Sequence, residues 1–445
     1  MRSTRRHSDH RAACLFVFAS LGGVGIALVA CTTSDDVVGQ SEAPQADAAV
    51  VSTPLQEAGV DATKPRFEGT PLPVTCASEP CVVSLSRTLG PTPDARADGF
   101  CALLSDKTVA CWGANASGQL GRGASSEDSS TPTRIAGLTD VVELEHTCAV
   151  VSNGDVYCWG TGPFLQDPAN IATITTTTTP VKLSLPPAAH VGIGYDVGCA
   201  ALTDGRVLCW GSNRNGQLAP PWEDAAPASA PLALDIPKGA PIARVLVGTA
   251  TLLLREDGTA VSWGANPPLG RASSLSPDPS PAPIAASGIM RVDLAHDNAC
   301  MAAGGAGYCW GVPLYPATSA PLERALPELV YTPEPIVDIA TTRTTVENGQ
   351  TRAYRWCAIG EAGKVLCRGA NDDGQVGDGS FDDALQPKQV AGLSTPASRI
   401  EVTTSTSCAL LTNGTVRCWG ANSFGQLGNG QNRGRSPVPV EVLLP

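Results

Sequence analysis

The chain has 445 residues, of which 42% are hydrophobic and 5% aromatic, with 30 Lys and Arg against 42 Asp and Glu and 16 cysteines. A formal charge of -12 argues against nucleic acid as a partner, because phosphate binding needs clustered Lys and Arg. The body is too long for one ordinary core and shows almost no helical periodicity, which leaves strands, turns and Pro-rich connectors to organise it.

The first segment carries Arg2, Arg5, Arg6 and Arg11, followed by an apolar Gly- and Ala-rich run that ends at Leu28-Val29-Ala30 before Cys31. This order predicts an export signal over residues 1–30 rather than a membrane span. Leu28-Val29-Ala30-Cys31 resembles the lipobox of bacterial lipoproteins, which implies that Cys31 becomes the first mature residue and carries a lipid on its sulfur, while Cys14 leaves with the signal. With residues 1–30 removed, four arginines and Asp9 go too and the charge becomes about -15. Residues 31–80 are rich in Ala, Thr, Pro, Asp and Ser without a sustained period, and are expected to be an acidic flexible tether.

From residue 81 to 445 one phrase recurs. Its anchor Trp-Gly, or the equivalent, stands at Trp112, Trp159, Trp210, Trp263, Trp310, Arg368 and Trp419, in steps of 47, 51, 53, 47, 58 and 51 residues. Seven repeats of about 50 residues indicate a propeller, solenoid or array. In the last copy Cys408-Ala-Leu-Leu411 meets Thr415-Val-Arg-Cys418 across a three-residue connection with Gly414 at the position that needs a left-handed residue. Pairing outward from the turn sets Cys408 opposite Cys418 at a non-hydrogen-bonded site, where side chains lie closest.

The same arithmetic pairs Cys101-Cys111, Cys148-Cys158, Cys199-Cys209 and Cys357-Cys367. Cys300-Cys309 is one residue shorter, but the two-residue turn Gly304-Gly305 keeps its register, and the fourth copy has lost both cysteines together, to Leu252 and Ser262. Cys76-Cys81 is a short seventh pair. Such disulfides persist outside a reducing cytosol. Each unit also offers an upstream apolar stretch and a short returning segment, so three or four strands per unit pack radially to hide their faces. The expected fold is an all-β, seven-bladed β-propeller with intra-blade hairpin disulfides. Val82-Val83-Ser84-Leu85 is expected to pair in the same blade as Val438 to Val442, joining the chain ends.

The pattern Cys-Ala-Leu-x-x-x-Gly-x-Val-x-Cys-Trp-Gly-x-Asn-x-x-Gly-Gln-Leu-Gly resembles the regulator of chromosome condensation repeat, whose family fold is a seven-bladed propeller. The first, third and last copies carry it best, with Trp112, Asn115, Gly118, Gln119 and Gly121; Trp210, Asn213, Gly216 and Gln217; and Trp419, Asn422, Gly425, Gln426 and Gly428. The sixth keeps Asn371, Gly374, Gln375 and Gly377 around Arg368, and the second and fifth lose the Gln-Leu-Gly turn. The family's eponymous member acts on a small nuclear GTPase and docks on histones; an acidic, disulfide-bonded lipoprotein is expected to meet neither. Relatives include a secreted β-lactamase inhibitor, which supports protein binding as a mode only.

Chemistry is sparse. No Gly-x-Ser-x-Gly, His-Glu-x-x-His or phosphate-loop motif occurs, and His146, His190 and His296 read as structural. The acidic stretch Asn371 to Asp378 coincides with the repeat's own turn and does not have calcium-loop spacing. We therefore expect no enzyme activity, cofactor or metal.

The sixth copy carries about ten extra residues, with β-formers alternating around Asn348-Gly349, a hairpin signal. Arg343, Asn348, Arg352, Tyr354 and Arg355 form a candidate contact patch on this rim insertion, and Trp222 in a Pro-rich connector is a second candidate anchor. The expected protein is a monomeric, exported scaffold, held in the cell envelope at the outer membrane or surface through lipid on Cys31, that recognises a protein or peptide through rim loops. A glycan-binding role using Trp222 and Tyr315 is the alternative, and a hydrolase or lyase in the central channel is the third reading.

Overall fold

A computed structural model describes residue 67 and residues 69–90, 99–123, 127–218, 230–311, 325–343, 345–347, 350–352 and 354–445, with residues 345–347 and 350–352 described by their backbone alone. The signal segment, Cys31, Trp222, Tyr315 and Asn348 lie outside the described residues. Seven four-stranded antiparallel sheets follow one another along the chain, at 82–134, 141–182, 188–234, 242–283, 289–330, 336–389 and 397–441. We number them blades 1 to 7 and letter their strands a to d from the inside out. The a strands touch in cyclic order, with that of blade 7 against that of blade 1, so the sheets close into a seven-bladed propeller.

Local chemistry explains each blade. In blade 7, strands Ala397–Val402, Thr406–Leu411, Val416–Ala421 and Arg435–Glu441 lie side by side. The b–c turn closes through the Gly414 amide, which donates to Leu411 O at 2.9 Å, with Gly414 at φ +80°. Cys408 then faces Cys418 directly. All six hairpin disulfides among the described residues have Cα–Cα 4.1 Å, the close spacing of a non-hydrogen-bonded pair. Blade 5 keeps this register through Gly304 and Gly305, both at positive φ. In blade 4, Leu252 and Ser262 occupy the same opposed site and are fully buried.

The Trp-Gly anchor works between blades. In the last repeat the turn folds on itself: Asn422 Oδ1 accepts from the Leu427 amide at 3.0 Å and Gln426 Oε1 from the Phe424 amide at 2.7 Å. This presents the Gln426 carbonyl to blade 1, where Trp112 Nε1 donates to it at 3.0 Å. Trp159, Trp263 and Trp419 donate likewise to the carbonyls of Gln119, Gln217 and Gln375. Where proline stands in place of that glutamine or the turn is lost, Trp310 and Trp210 use the carbonyls of Pro268 and Pro163. Gly428 lets the indole approach, since a Cβ there would lie 2.9 Å from Trp112 Nε1. In blade 6 the bulky residue has changed strand: Trp356 is buried on strand b, directly opposite Arg368 on strand c.

Two expectations fail on topology. Val82–Arg87 pairs within blade 1 and Arg435–Glu441 within blade 7, so no blade is shared by the chain ends. The ring is closed by packing instead, with Leu85, Phe100 and Trp112 in one core with Leu410, Val416, Leu427 and Val442. Part of the stretch expected to be tether also belongs to the body. Ser398 Oγ donates to Leu72 O, the Thr75 amide to Thr412 O at 2.7 Å, and the Val82 amide to Gly414 O at 2.9 Å, while Phe67 lies over Gly305. Residues 67 to 82 thus cross the b–c turns of blades 5 and 7, and Cys76–Cys81 braces the end of that path. Backbone bonding to these turns holds what composition alone marks as loose.

Candidate functional site

Strands alternate in direction, so all a–b connections and Gly-Gln-Leu-Gly turns emerge on one face and all b–c turns on the other. Residues 67 to 82 lie on the b–c face. The insertion of blade 6 joins strands a and b, so it stands on the a–b face. Its strands Thr345–Glu347 and Gln350–Arg352 pair as an antiparallel hairpin, the form its turn signal predicts.

Between the faces runs the central channel. Every a strand carries a bulge near its start, between its first and third residues. Beyond the bulge the alternation of a strand takes over. Leu85, Leu144, Val191, Val245, Val292, Ile339 and Ile400 are buried between blades. Their neighbours on either side face inward: Ser84, Glu143, His190, Arg244, Arg291, Asp338 and Arg399 in one ring, and two residues later a second ring that includes Glu145, Asp293 and Glu401.

These charges are matched across blades. Arg87 of blade 1 reaches over the axis: its Nη1 pairs with Asp293 Oδ2 of blade 5 at 2.9 Å, and its Nη2 donates to Leu294 O at 2.9 Å. Arg244 of blade 4 pairs with Glu145 of blade 2 at 2.7 Å. Arg291 of blade 5 pairs with Glu401 of blade 7 at 2.8 Å and lies 3.3 Å from Asp338 of blade 6. His190 Nδ1 lies 2.6 Å from Glu143 Oε2, and that hydrogen bond holds the imidazole above its ordinary range. Burial pushes the Glu145 carboxyl up, but Arg244 and His146 outweigh it and keep the group below the usual carboxylate range. At Asp338 burial prevails over Arg399 and the Ile400 amide and pushes the carboxyl up to about 7. Ion pairs between non-adjacent blades cross the channel, with Asp293, Glu145 and Glu401 held by Arg87, Arg244 and Arg291.

The candidate patch on the insertion is broken up by the fold. Arg355, expected at a contact surface, is 1% exposed. Its Nη2 donates to Thr403 O at 2.8 Å and Thr406 O at 3.2 Å, and its Nη1 to Thr404 O at 3.3 Å. A guanidinium has five donors and no acceptor, and the carbonyls of the a–b turn of blade 7 satisfy it better than a half-wet rim; Arg355 therefore clamps blade 6 to blade 7. Tyr354 is also turned inward, packed beside Ile336, Ile339 and Trp356. Arg343 stands at the root of the insertion and lines the channel mouth. Arg352 lies in the hairpin opposite Thr345. The Asn371 stretch is the repeat's turn, with Asn371 Oδ1 accepting from the Val376 amide at 2.8 Å.

Family models described as the regulator of chromosome condensation (RCC1) repeat match residues 108–150 and 144–166, 188–217 and 400–426. These four segments are RCC1 repeats. This RCC1-repeat propeller is similar to the ultraviolet-B receptor UVR8 of Arabidopsis thaliana, 28% identical over 363 residues that span 77% of this chain and 68% of the receptor. Among solved structures it resembles Prp20p of Saccharomyces cerevisiae, with TM-score 0.59 and 17% identity over 76–77% of this chain and 83–87% of that one. Human WBSCR16 gives TM-score 0.58 and 18% identity over 76% and 94%. At such identities the structural matches show the fold.

Sequence reasoning missed the channel. The signal was available in the charged residues two apart that interrupt the upstream apolar stretches, as in Glu143 and Glu145, Arg291 and Asp293, and Arg399 and Glu401.

Proposed function

We propose that this RCC1-repeat propeller is a lipid-anchored, extracytoplasmic scaffold that recognises a protein or peptide on its a–b face. The observation that carries the reading is the inserted hairpin of blade 6, which rises beside the channel mouth on the face opposite residues 67 to 82. Protein binding agrees with the solved relatives, described with Kap60 and with Gsp1p and histones, although an exported protein would meet different partners. Seven disulfides among the described residues support an oxidising compartment.

The test is recovery of partners from envelope extract on the immobilised full chain, beside a variant in which residues 344–353 are replaced by two glycines, sparing the Thr342 and Arg355 contacts. One dominant protein held by the full chain and lost by the variant is expected. Equal recovery by both, or none by either, overturns the reading, and the second result turns attention to glycans.

A further inference from the structure

The seven disulfides among the described residues differ in how water reaches them. In the six hairpin pairs no cysteine is more than 4% exposed. Cys101 and Cys111, for instance, lie in one core with Leu144 and Trp159 of blade 2. Cys76–Cys81 is built otherwise. Cys81 is 1% exposed, with its sulfur laid against the b–c turn of blade 7, where a Cβ on Gly414 would collide with it. Cys76 is exposed, and so are Thr75, Ala77, Ser78 and Glu79 around it. Among the described residues this is the one disulfide with a half open to solvent.

The loop that this disulfide closes has a definite place. Thr75 and Val82 flank the pair, and both donate to one turn of blade 7, the Thr75 amide to Thr412 O at 2.7 Å and the Val82 amide to Gly414 O at 2.9 Å. The disulfide thus fixes a reversal of the chain against that turn. Upstream, the path rests on Ser398 Oγ, which donates to Leu72 O, and on Gly305, beneath Phe67, while Pro71, Pro73 and Thr75 along it are exposed. Opening the cross-link leaves those bonds in place but lets their two ends move apart, and an open segment loses more entropy on ordering than a closed loop does.

We propose that Cys76–Cys81 is a thiol-exchange site whose co-reactant is an external dithiol, and that its reduction releases residues 67–80 from the b–c face. Exchange requires a thiolate to reach one sulfur of the pair, so access decides which disulfide reacts and at which end. Attack falls on Cys76, the open end. The incoming sulfur bonds to Cys76 Sγ, the bond to Cys81 breaks, and Cys81 leaves as a thiolate. The second thiol of the reagent then attacks its own partner sulfur in the mixed disulfide and displaces Cys76. Two electrons pass: the dithiol is oxidised to its disulfide, the pair is reduced, and the two protons of the dithiol end on Cys76 and Cys81. The hairpin pairs stay closed, so the propeller is spared, and the site is independent of any partner on the a–b face.

The test uses the full chain, with free thiols first blocked by N-ethylmaleimide, held with dithiothreitol under native conditions and quenched with iodoacetamide at intervals. Peptide mapping by mass is expected to show Cys76 and Cys81 alkylated at least about a hundredfold faster than any hairpin cysteine, because a buried pair reacts only when its blade opens. With the monothiol 2-mercaptoethanol, quenched in acid, the adduct is expected on Cys76 and the free thiol on Cys81. Hydrogen exchange across residues 69–80 is expected to rise about tenfold on reduction, with exchange across strands Thr406–Leu411 and Val416–Ala421 unchanged. Cys76→Ser combined with Cys81→Ser is expected to show the faster exchange without reductant and no further response to it, which separates release from any effect of the alkyl groups. Hairpin cysteines that react as fast, a Cys76–Cys81 pair that resists dithiothreitol as they do, or an adduct on Cys81 overturns the exchange site. Unaltered exchange over residues 69–80, in the reduced chain or in the double variant, overturns the release.

Discussion

Arg87→Met is the sharpest perturbation of the ring. The substitution keeps an unbranched stem in the channel and removes the guanidinium that ties blade 1 to Asp293 and Leu294 of blade 5. Asp293 keeps the Thr341 amide at 2.7 Å but loses its charge partner while still buried. Breaking one side of a buried pair costs about 3–5 kcal/mol. At 2.9 Å and an effective dielectric near 20, the Coulomb attraction is at most about 6 kcal/mol. Arg87→Met combined with Asp293→Asn should therefore be less damaging than the sum of the two singles, by roughly 3 kcal/mol. Urea unfolding without reductant, followed by the buried tryptophans, measures all four states. A double variant that equals the sum to within about 0.5 kcal/mol, or a single Arg87→Met that costs less than about 1 kcal/mol, refutes a structural role for the channel pairs.

Three further outcomes follow from the geometry. Leu252→Cys with Ser262→Cys should form the hairpin disulfide that blade 4 lacks, because the two residues face each other in the cysteine register; two titratable thiols in the oxidised native protein would show the register argument to be wrong. The closed loop is worth about 2–3 kcal/mol, enough to offset much of the lost Leu252 packing in an unfolding assay. Arg355→Ala should lower stability by about 1.5–3 kcal/mol, the range for hydrogen bonds to a charged group, yet leave partner recovery intact, and the opposite result would return Arg355 to the contact surface. Asp338 has a folded-state pKa of about 7, above its ordinary 3.8, so its share of stability is full at low pH and declines as pH rises from about 4 to 7. The stability difference between the parent chain and Asp338→Asn should fall across that window; a flat or rising difference contradicts burial as the dominant influence.

What the sequence discloses divides by range. The hairpins are local, so parity arithmetic from Gly414 to Cys408 and Cys418 predicts the observed register, and it survives the shortened turn of blade 5. Ring closure is different. Val82 to Leu85 and Val438 to Val442 are both good strand formers, and nothing local says whether they share a sheet. A count of strands does, because blade 1 already has four without the C-terminal segment. The long a–b connection of blade 1 obscured that count. The ion pairs are further out of reach, since Arg87 and Asp293 are 206 residues apart and meet only because a ring turns two distant a strands toward one axis. Arg355 shows another limit: an inserted polar stretch does not reveal whether a guanidinium faces water or three carbonyls.

Blade 6 joins these threads. Elsewhere the tryptophan of strand c bonds back to the preceding blade, but here that position is Arg368, whose Nε donates to Leu385 O of its own blade at 2.9 Å. The indole has crossed to Trp356, which fills the space against blade 5 with Val330 and Ile339, and its Nε1 has no hydrogen-bond partner among the described residues. The backward bond is thus replaced by apolar packing, while the adjacent Arg355 supplies a forward clamp to blade 7. This compensation occurs at the root of the inserted hairpin, where the Arg355 amide donates to Thr342 Oγ1 at 2.8 Å and the Thr342 amide to Arg355 O at 2.9 Å. An insertion between strands a and b would strain a blade held only by its neighbours' regular contacts. Clamped on one side and packed on the other, blade 6 can carry the hairpin without loosening the channel, and a recognition loop on a rigid base loses less entropy when it binds.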